Sequence, residues 1–310
     1  MTDVVITEFM DEAAVSRLAV RFRIHYDPGL ADKPDLLAKF TAEARALIVR
    51  NRTQVRGALL EGAGKLVCIG RLGVGLDNID MEACAARGIA VYPATGANDR
   101  SVAEYVVTCV LMLLRGAYGA GAEVAAGGWP REASVGREVT GKVLGLVGFG
   151  SIGRETARRA AALGMEVVAH DPFLAEDDPA WELARPLTLN ELLLQSDAVS
   201  LHVPLSPGTR HLIGAGQIAL MKPGAVLVNA ARGGVLDEAA LVEEMRAGRV
   251  RGAALDVFET EPLTAGAGAR FQGLANLILT PHIAGLTEES NIRVSALVAE
   301  RVIAHLEGLE

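Results

Sequence analysis

Residues 143–172 read VLGLVGFGSIGRETARRAAALGMEVVAHDP, and this stretch decides the fold class. An apolar run at 143–147 leads into GFGSIG at 148–153, an Ala- and Arg-rich segment follows, and a second apolar run ends at residue 170. A strand, a glycine-rich turn, a helix and a second strand form the opening unit of a dinucleotide-binding sheet. The stretch therefore predicts an α/β fold.

The three glycines of this turn have separate tasks. Gly148 permits the tight turn, Gly150 lets a pyrophosphate approach the backbone, and Gly153 lets the helix pack on the strand. Asp171 follows Gly150 by 21 residues, close to the interval of about 20 expected for the acid that binds the ribose. Because a carboxylate there repels a 2′-phosphate, the pattern predicts NAD rather than NADP. An aspartate at this junction can also simply cap the turn.

Short β-branched runs alternate with Ala- and Leu-rich segments along most of the chain, which indicates parallel strands covered by helices. In the second half we expect six strands, as a complete dinucleotide-binding sheet requires. The predicted strands are 4–6, 21–26, 46–49, 66–69, 89–92, 143–147, 166–170, 198–201, 225–229, 252–255 and 277–279. A long helix is expected to begin at Ser101 as its N-cap, and a tail helix is expected at 287–309.

Composition and charge exclude several classes of protein. With 310 residues, the chain is long enough for two domains, and its 50% apolar content excludes a disordered or fibrous chain. Thirty Lys and Arg against 38 Asp and Glu leave a net charge of −8. Because this charge does not attract a phosphate backbone, no nucleic-acid partner is expected.

Cysteine usage and hydropathy point to a cytoplasmic protein. Cys68, Cys84 and Cys109 are too scattered for a disulfide framework, and no metal site is expected because no Cys/His cluster is present. The N-terminus does not resemble a secretory signal. At thirteen residues, the apolar stretch 102–114 is shorter than the roughly 20 residues that span a bilayer, so no membrane association is expected.

Seven segments resemble the D-isomer-specific 2-hydroxyacid dehydrogenase family, in the family's order and over most of the chain. They are GRLGVGLDNID (70–80), SVAEYVV (101–107), LVGFGSIGR (146–154), HVPLSPGTR (202–210), MKPGAVLVNAARGGVLDEAAL (221–241), GAALDVFETEP (252–262) and TPHIAG (280–285). The resemblance implies a Rossmann-type nucleotide-binding domain, residues 99–285, inserted into a flavodoxin-like substrate domain, residues 1–98 and 286–310. It also implies a homodimer built on the helix from Ser101 and the arm that follows.

The resemblance implies three catalytic residues. Arg232 would pair with the substrate carboxylate and polarise the keto oxygen, as a planar guanidinium can. His282 would be the general acid in reduction and the general base in oxidation, a task for which imidazole is suited because it titrates near neutral pH. Glu261 would hydrogen-bond the other ring nitrogen and orient it. Each residue taken alone could instead serve a structural role, as a surface ion pair, a turn cap or a loop histidine.

Other roles are carried over from the family in the same way. The residues expected at the cofactor are Gly148, Gly150 and Gly153, Ser151 and Ile152 at the pyrophosphate, Asp171 at the ribose, Val203 beside the adenosine, Ala230 beside the nicotinamide and Asp256 at its carboxamide. The backbone amides of Val74 and Gly75 are expected at the substrate carboxylate. For these positions, simple strand-end packing is the rival interpretation.

The segments VRNRTQV (49–55) and GRLGVG (70–75) resemble loops of 3-phosphoglycerate dehydrogenases whose arginines recognise a second anionic group. Arg50 and Arg71 match those loops, and Arg52 is a further cation nearby. A substrate with a second anion, such as 3-phosphoglycerate, is therefore expected. The segments TEFMDEAAV (7–15) and YDPGL (26–30) resemble sulfolactate dehydrogenases of the same family, which makes 3-sulfolactate the other expected substrate. A glyoxylate or hydroxypyruvate reductase is the alternative, and an NAD-sensing corepressor is the alternative that is not an enzyme.

Overall fold

The computed structural model describes residues 2–308, which form twelve β-strands and twelve α-helices. The strands are β1 Val4–Ile6, β2 Ile24–Tyr26, β3 Ala46–Val49, β4 Cys68–Arg71, β5 Ala90–Pro93, β6 Val143–Val147, β7 Glu166–His170, β8 Arg185–Pro186, β9 Ala198–Leu201, β10 Ala225–Asn229, β11 Val250–Leu255 and β12 Leu277–Leu279. The helices are α1 Glu12–Ala19, α2 Pro34–Thr41, α3 Gly57–Gly62, α4 Met81–Ala86, α5 Asp99–Arg115, α6 Gly121–Ala125, α7 Ser151–Ala162, α8 Leu189–Gln195, α9 Ala215–Leu220, α10 Glu238–Arg246, α11 Ala265–Gly268 and α12 Glu288–Leu306.

The chain divides after Asn98 and again after Gly285 into two compact units. In the first unit the sheet order is β2-β1-β3-β4-β5 with every pair parallel, which is the flavodoxin-like order. In the second unit the order is β12-β11-β10-β9-β6-β7-β8, again all parallel. Numbered from β6, this is the Rossmann order with a seventh strand added beside β11.

Helices cover both faces of each sheet, so the central strands are buried and read as continuous apolar runs. All five residues of β10 and all four of β9 are buried. In the second unit α5 packs along β10 and β11 and contacts α7. In the first unit α12, capped by the Thr287 side chain, lies against β4 and β5. The carboxyl ends of the strands are thereby left for the loops that carry the predicted site residues.

Several predicted elements need correction. Helix α5 begins at Asp99, so Ser101 lies inside its first turn rather than at its N-cap; an aspartate at the helix start is favoured by the helix dipole. The predicted strand 21–26 is shortened to β2, because the N–H groups of Arg21 and Phe22 bond back to Leu18 at the end of α1.

Three further strands begin at other residues than expected. The N–H of Leu66 bonds back to Ala63 and that of Ile89 to Cys84, so β4 and β5 start after these turns rather than within them. Strand β11 starts earlier than expected, at Val250.

Several short elements escaped prediction, among them α3 and β8. Helix α3 has six residues, too few for a periodic pattern, and β8 has two residues and contains Pro186. Proline is tolerated there because β8 is the edge strand of its sheet. The tail helix ends at Leu306 rather than at Leu309, which lies outside the described residues.

Among the described residues, no single helix combines the length and hydropathy needed to cross a bilayer. Helix α5 and the segment Ala117–Ala125 meet those criteria only when joined across a bend of 71°, on length and composition alone. Nine residues of α5 are buried within the fold, which is the ordinary environment of a core helix.

Candidate active site

The glycine turn joins β6 to α7, and each glycine meets a different steric demand. Gly148 has a φ of +93°, and a Cβ there would lie 2.7 Å from the carbonyl oxygen of His202. A Cβ on Gly153 would lie 2.8 Å from the carbonyl oxygen of Gly148, so this residue permits the close approach of helix and turn. A Cβ on Gly150 would meet no atom within 4 Å, which leaves open space above the start of α7.

The N-terminus of α7 suits a pyrophosphate. Gly150 is its N-cap and supplies no side-chain cap, so the first N–H groups of the helix are available to an anion. Ser151 is exposed at the first helical position, whereas Ile152 is partly buried against the core. Together with the open space at Gly150, this arrangement fits the diphosphate of NAD.

Asp171 lies directly after β7 and faces the glycine turn. One carboxylate oxygen accepts the N–H of Phe149 (2.9 Å), and the other accepts the N–H of Phe173 (3.0 Å). The aspartate therefore does cap the turn, as the alternative interpretation supposed. A carboxylate has about four lone-pair sites, so both oxygens can accept further hydrogen bonds from a ribose.

The remaining predicted cofactor residues follow neighbouring strands. Val203 comes after β9, and its side chain would lie 2.9 Å from a Cβ on Gly148. Ala230 comes directly after β10 and is partly buried. Because the carboxyl ends of parallel strands meet at one edge of a sheet, both lie at the same edge as the glycine turn.

Arg232 is carried on a turn after β10 that Asn229 holds in shape. The buried Asn229 side chain donates to the carbonyl oxygen of Arg232 (3.0 Å) and accepts the N–H of Ala231 (3.1 Å). A Cβ on Gly233 would lie 1.7 Å from the carbonyl oxygen of Phe258, so glycine lets the Arg232 turn lie directly on the loop after β11. Asn229 was not among the predicted site residues, although its place at a strand end before AARGG is a usable signal.

Glu261 and His282 form a hydrogen-bonded pair. Oε2 of Glu261 lies 2.7 Å from Nδ1 of His282, and Oε1 accepts the N–H of Phe258 (3.0 Å). Side-chain exposure is 35% for the histidine and 32% for the glutamate. With Nδ1 held by the carboxylate, Nε2 is the ring nitrogen left for a proton transfer.

The turn that carries Arg232 lies beside the same pair, because Gly233 packs on the carbonyl of Phe258, whose N–H bonds to Glu261. Burial raises the pKa of Glu261, but the hydrogen bond and charge of His282, the Phe258 N–H and the charge of Arg232 together bring that pKa below its usual value. The glutamate therefore stays ionised at neutral pH and can hold the imidazole through a charge-assisted hydrogen bond. The loops that carry Arg232, Glu261 and His282 thus lie together at one edge of the sheet.

Asp256, which is expected at the nicotinamide carboxamide, is buried and bonded to its neighbours. It is 1% exposed, and its carboxylate accepts the N–H groups of Ile283 and Ala284 (2.8 Å each) and the hydroxyl of Thr280 (2.6 Å). Its contacts in the structure are thus with the loop that carries His282.

In the first unit, Arg71 and Arg50 lie at neighbouring strand ends. Arg71 ends β4 and is in register with Val49, the last residue of β3, so Arg50 follows immediately beside it. A Cβ on Gly73 would lie 1.5 Å from Nη1 of Arg71, so the guanidinium occupies the space beside the backbone that leads to Val74 and Gly75. Both of those residues are partly exposed.

The loop after β3 is shaped by the buried carboxylate of Glu8. It accepts the N–H groups of Arg50 (2.9 Å), Arg52 (3.2 Å) and Thr53 (3.1 Å). Glu8 was not predicted as a site residue, because nothing in the sequence links positions 8 and 50. It connects the acidic segment after β1 to the predicted anion-binding loop.

The two arginines of this loop have different surroundings. The Arg50 side chain donates to the carbonyl of Phe9 (2.8 Å) and to Oδ1 of Asn291 (2.8 Å), and its guanidinium carbon lies 5.4 Å from the Phe9 ring centre. Burial lowers the pKa of Arg50, although guanidinium remains charged. Arg52 pairs with Asp32 on an exposed part of the loop.

Comparison with known proteins agrees with this geometry. The family model described as D-isomer specific 2-hydroxyacid dehydrogenase, NAD binding domain, matches residues 107–284. The (S)-sulfolactate dehydrogenase of Chromohalobacter salexigens is 54% identical over 303 residues, which cover 97% of each chain. The hydroxypyruvate reductase of Thermotoga maritima is 42% identical over 88% of each chain.

Two further similarities concern a longer relative and a solved structure. The D-3-phosphoglycerate dehydrogenase of Methanocaldococcus jannaschii is 41% identical over 99% of this chain but only 58% of its own length. The crystal structure of the D-lactate dehydrogenase from Aquifex aeolicus, complexed with NAD and lactic acid, has a TM-score of 0.86 and 29% identity, covering 99% of this chain and 96% of that one.

These relatives are named as dehydrogenases and reductases, which supports the expected enzyme over a binding protein. The NAD-binding family model and the NAD-bound neighbour agree with the open glycine turn and the aspartate beside it. The chain belongs to the D-isomer specific 2-hydroxyacid dehydrogenase family and is an NAD-dependent oxidoreductase acting on CH–OH groups.

Proposed function

We propose that this enzyme interconverts a small D-type 2-hydroxy acid that carries a second anionic group and the corresponding 2-keto acid, with (S)-3-sulfolactate as the leading substrate. The observation that carries the proposal is the Arg71 guanidinium beside Gly73, the residue that precedes Val74 and Gly75. The likeness to a sulfolactate dehydrogenase over nearly the whole chain supports it. In 3-sulfolactate the sulfur reverses the naming priority, so the S form has the spatial arrangement of an ordinary D-hydroxy acid.

The proposed roles of Arg232, His282 and Glu261 follow from their chemistry. Arg232 binds the substrate carboxylate and stabilises negative charge on the reacting oxygen. Nε2 of His282 takes the hydroxyl proton in oxidation and returns it in reduction, while Glu261 holds Nδ1. The nicotinamide of NAD, when bound, accepts or supplies the hydride.

We propose that the backbone N–H groups of Val74 and Gly75 bind the substrate carboxylate and that Arg71 binds the second anion. Arg50 lies at the adjacent strand end and adds positive charge there. Arg52 is paired with Asp32, so we propose that it adds less than Arg50 to the positive potential at the second anion.

A panel of substrates tests this function. We expect purified enzyme with NAD to form NADH faster, in kcat/KM, with (S)-3-sulfolactate or 3-phosphoglycerate than with D-lactate or glycerate, which lack a second anion. Malate is included as an acid whose second anion is a carboxylate. The panel is completed in reduction with glyoxylate and hydroxypyruvate, because the likeness to a hydroxypyruvate reductase supports that alternative. A higher kcat/KM for glyoxylate or hydroxypyruvate than for the keto acids that carry a second anion would favour a glyoxylate or hydroxypyruvate reductase.

Replacement of Arg71 by alanine is expected to separate dianionic from monoanionic substrates. Loss of a charge-assisted contact should raise KM roughly 10- to 100-fold for sulfolactate or 3-phosphoglycerate. KM for glyoxylate should change by less than about twofold, because glyoxylate has no second anion for Arg71 to bind.

The control for Arg71→Ala is Arg21→Ala, which removes an arginine of the same unit that is paired with Glu307 on the surface. It should leave every KM unchanged. Arg71→Lys keeps the charge and should retain part of the discrimination. If Arg71→Ala raised KM equally for all acids, Arg71 would not be the second-anion ligand.

Replacement of Asp171 by alanine is expected to weaken NAD binding roughly tenfold and to relax the rejection of NADP. Asp171→Asn should also relax that rejection, because it removes the charge that repels a 2′-phosphate while keeping one acceptor oxygen. The measurement is kcat/KM for each cofactor with one saturating hydroxy acid.

Asp178→Ala is the control for the cofactor experiment, because Asp178 likewise accepts a backbone N–H, that of Ala180, in the segment after β7. Its ratio of NAD to NADP efficiency should equal that of the unchanged enzyme. An unaltered ratio in both Asp171 variants would mean that another residue selects the ribose.

We also propose a homodimer and a cytoplasmic location. Three large apolar side chains between α5 and β6 are more than two-thirds exposed, as expected if a second copy covers this arm: Tyr118, Trp129 and Val135. The three cysteines are buried thiols with no disulfide between them, as expected in a reducing compartment. Light scattering that reported one chain per particle would contradict the dimer.

A further inference from the structure

A chain of hydroxyl groups connects helix α5 to Asp256. Oη of Tyr105, on α5, lies 2.6 Å from Oγ1 of Thr280, and Oγ1 of Thr280 lies 2.6 Å from Oδ1 of Asp256. Tyr105 and Thr280 are 175 positions apart in sequence, so the contact exists only because α5 packs against the sheet that leads to Thr280.

The hydrogen bonds in this chain have one consistent direction. Thr280 donates its single hydroxyl proton to Oδ1 of Asp256. The oxygen of Thr280 can then only accept from the tyrosine, and Tyr105 is the donor. Burial raises the pKa of Tyr105, which keeps that donor proton in place.

Asp256 in turn holds His282 and the two residues that follow it. Its carboxylate accepts the N–H groups of Ile283 and Ala284, and its carbonyl oxygen accepts the N–H of His282 (2.8 Å). His282 has a φ of +56°, a left-handed conformation that a residue with a side chain adopts only when its surroundings impose it.

We propose that Tyr105 and Thr280 are positioning residues for His282. The inference rests on the proposed acid–base role of His282. By donating through Thr280 to Asp256, Tyr105 fixes the carboxylate that bonds to the left-handed loop, and so sets where Nε2 of His282 points. Glu261 orients the ring from its other nitrogen, and the relay from Tyr105 through Thr280 to Asp256 sets the backbone from which the ring projects.

The rival interpretation is that these hydroxyls only satisfy one another inside the core. Under that interpretation their loss would lower stability and leave the chemical step alone. A positioning role instead lowers kcat, because small displacements of a catalytic group are costly. The two interpretations are therefore distinguished by measuring kcat, the affinity for the cofactor and the temperature of unfolding of each variant. Positioning predicts a lower kcat at unchanged cofactor affinity.

The test compares Tyr105→Phe, Thr280→Val and Thr280→Ser in the full-length enzyme with NAD and the best substrate of the panel. Tyr105→Phe and Thr280→Val each remove one hydroxyl at nearly constant volume, and Thr280→Ser keeps it. Tyr92→Phe is the matched control, because the Tyr92 hydroxyl bonds to His305 in the other unit (2.9 Å).

We expect kcat to fall roughly 10- to 100-fold in Thr280→Val, by somewhat less in Tyr105→Phe, and by less than about threefold in Thr280→Ser and Tyr92→Phe. The dissociation constant for NADH should stay within about twofold. Because both hydroxyls act through one relay, the double variant that combines Tyr105→Phe with Thr280→Val should lose little more than Thr280→Val alone.

Three results would overturn the relay. They are an unchanged kcat in folded Tyr105→Phe and Thr280→Val, an equal loss in Thr280→Ser and Thr280→Val, and losses that multiply in the double variant. His282→Ala measured in the same series separates the two proposals. If it abolishes turnover while both relay variants stay fully active, the relay alone fails; if it stays active, the proposed role of His282 fails.

Discussion

His282→Ala should turn over roughly 10²–10⁴ times more slowly than the unchanged enzyme, which is the usual contribution of a positioned acid–base group. The reason is that Nε2 of His282 is the nitrogen left for the substrate proton once Glu261 occupies Nδ1. NAD affinity should stay nearly unchanged, because the glycine turn and Asp171 lie on other loops. The measurement is kcat together with the dissociation constant for NADH by fluorescence titration.

His211→Ala is the matched control, because His211 also pairs with a glutamate, Glu259, but belongs to another loop of the same unit. It should retain most of the turnover. Glu261→Gln should fall between the two, because the amide keeps an acceptor for the ring while the charge that supports the imidazolium is lost. Near-normal turnover of His282→Ala would refute its assignment.

Arg232→Ala is expected to have the second large effect, a loss of roughly 10²–10³ in kcat/KM. The guanidinium is proposed to bind the carboxylate and to face the oxygen on which charge develops, so its loss should raise KM and lower kcat together. Arg232→Lys should recover only part of the loss, because an ammonium lacks the planar fork that grips a carboxylate.

The control for Arg232 is Arg249→Ala, which removes an arginine bonded to Glu244 on the surface of the same unit. It should leave kcat/KM unchanged. Arg232→Ala could instead lower only the stability of the protein and leave kcat/KM of the folded fraction normal. That result would show that the arginine only supports the turn that Asn229 shapes.

Local patterns were enough to predict the parts of the fold that depend on neighbouring residues. The strands 4–6, 46–49, 143–147, 198–201 and 225–229 lie where they were expected, because buried parallel strands are continuous apolar runs. The two-residue strand β8 was missed, because an edge pairing that short leaves no pattern. The start of α5 was placed two residues late, because Ser101 fits a cap rule that Asp99 overrides.

Contacts between distant segments were beyond sequence reasoning. The bonds of Glu8 to the 50–53 loop and of Tyr105 to Thr280 depend on strand order and helix packing, which no local spacing encodes. The bonds of Asp256 to the His282 loop have the same origin, while its expected contact with the nicotinamide carboxamide stays a prediction.

The central claim is that Arg232, Glu261 and His282 form the site where a 2-hydroxy acid exchanges a proton and a hydride. Single-turnover formation of NADH from saturating NAD and the best hydroxy acid tests it most directly, in unchanged enzyme and in His282→Ala. We predict a rapid rise of NADH absorbance in the former and a rise at least roughly 100-fold slower in the latter. Equal rates in the two proteins would contradict the account.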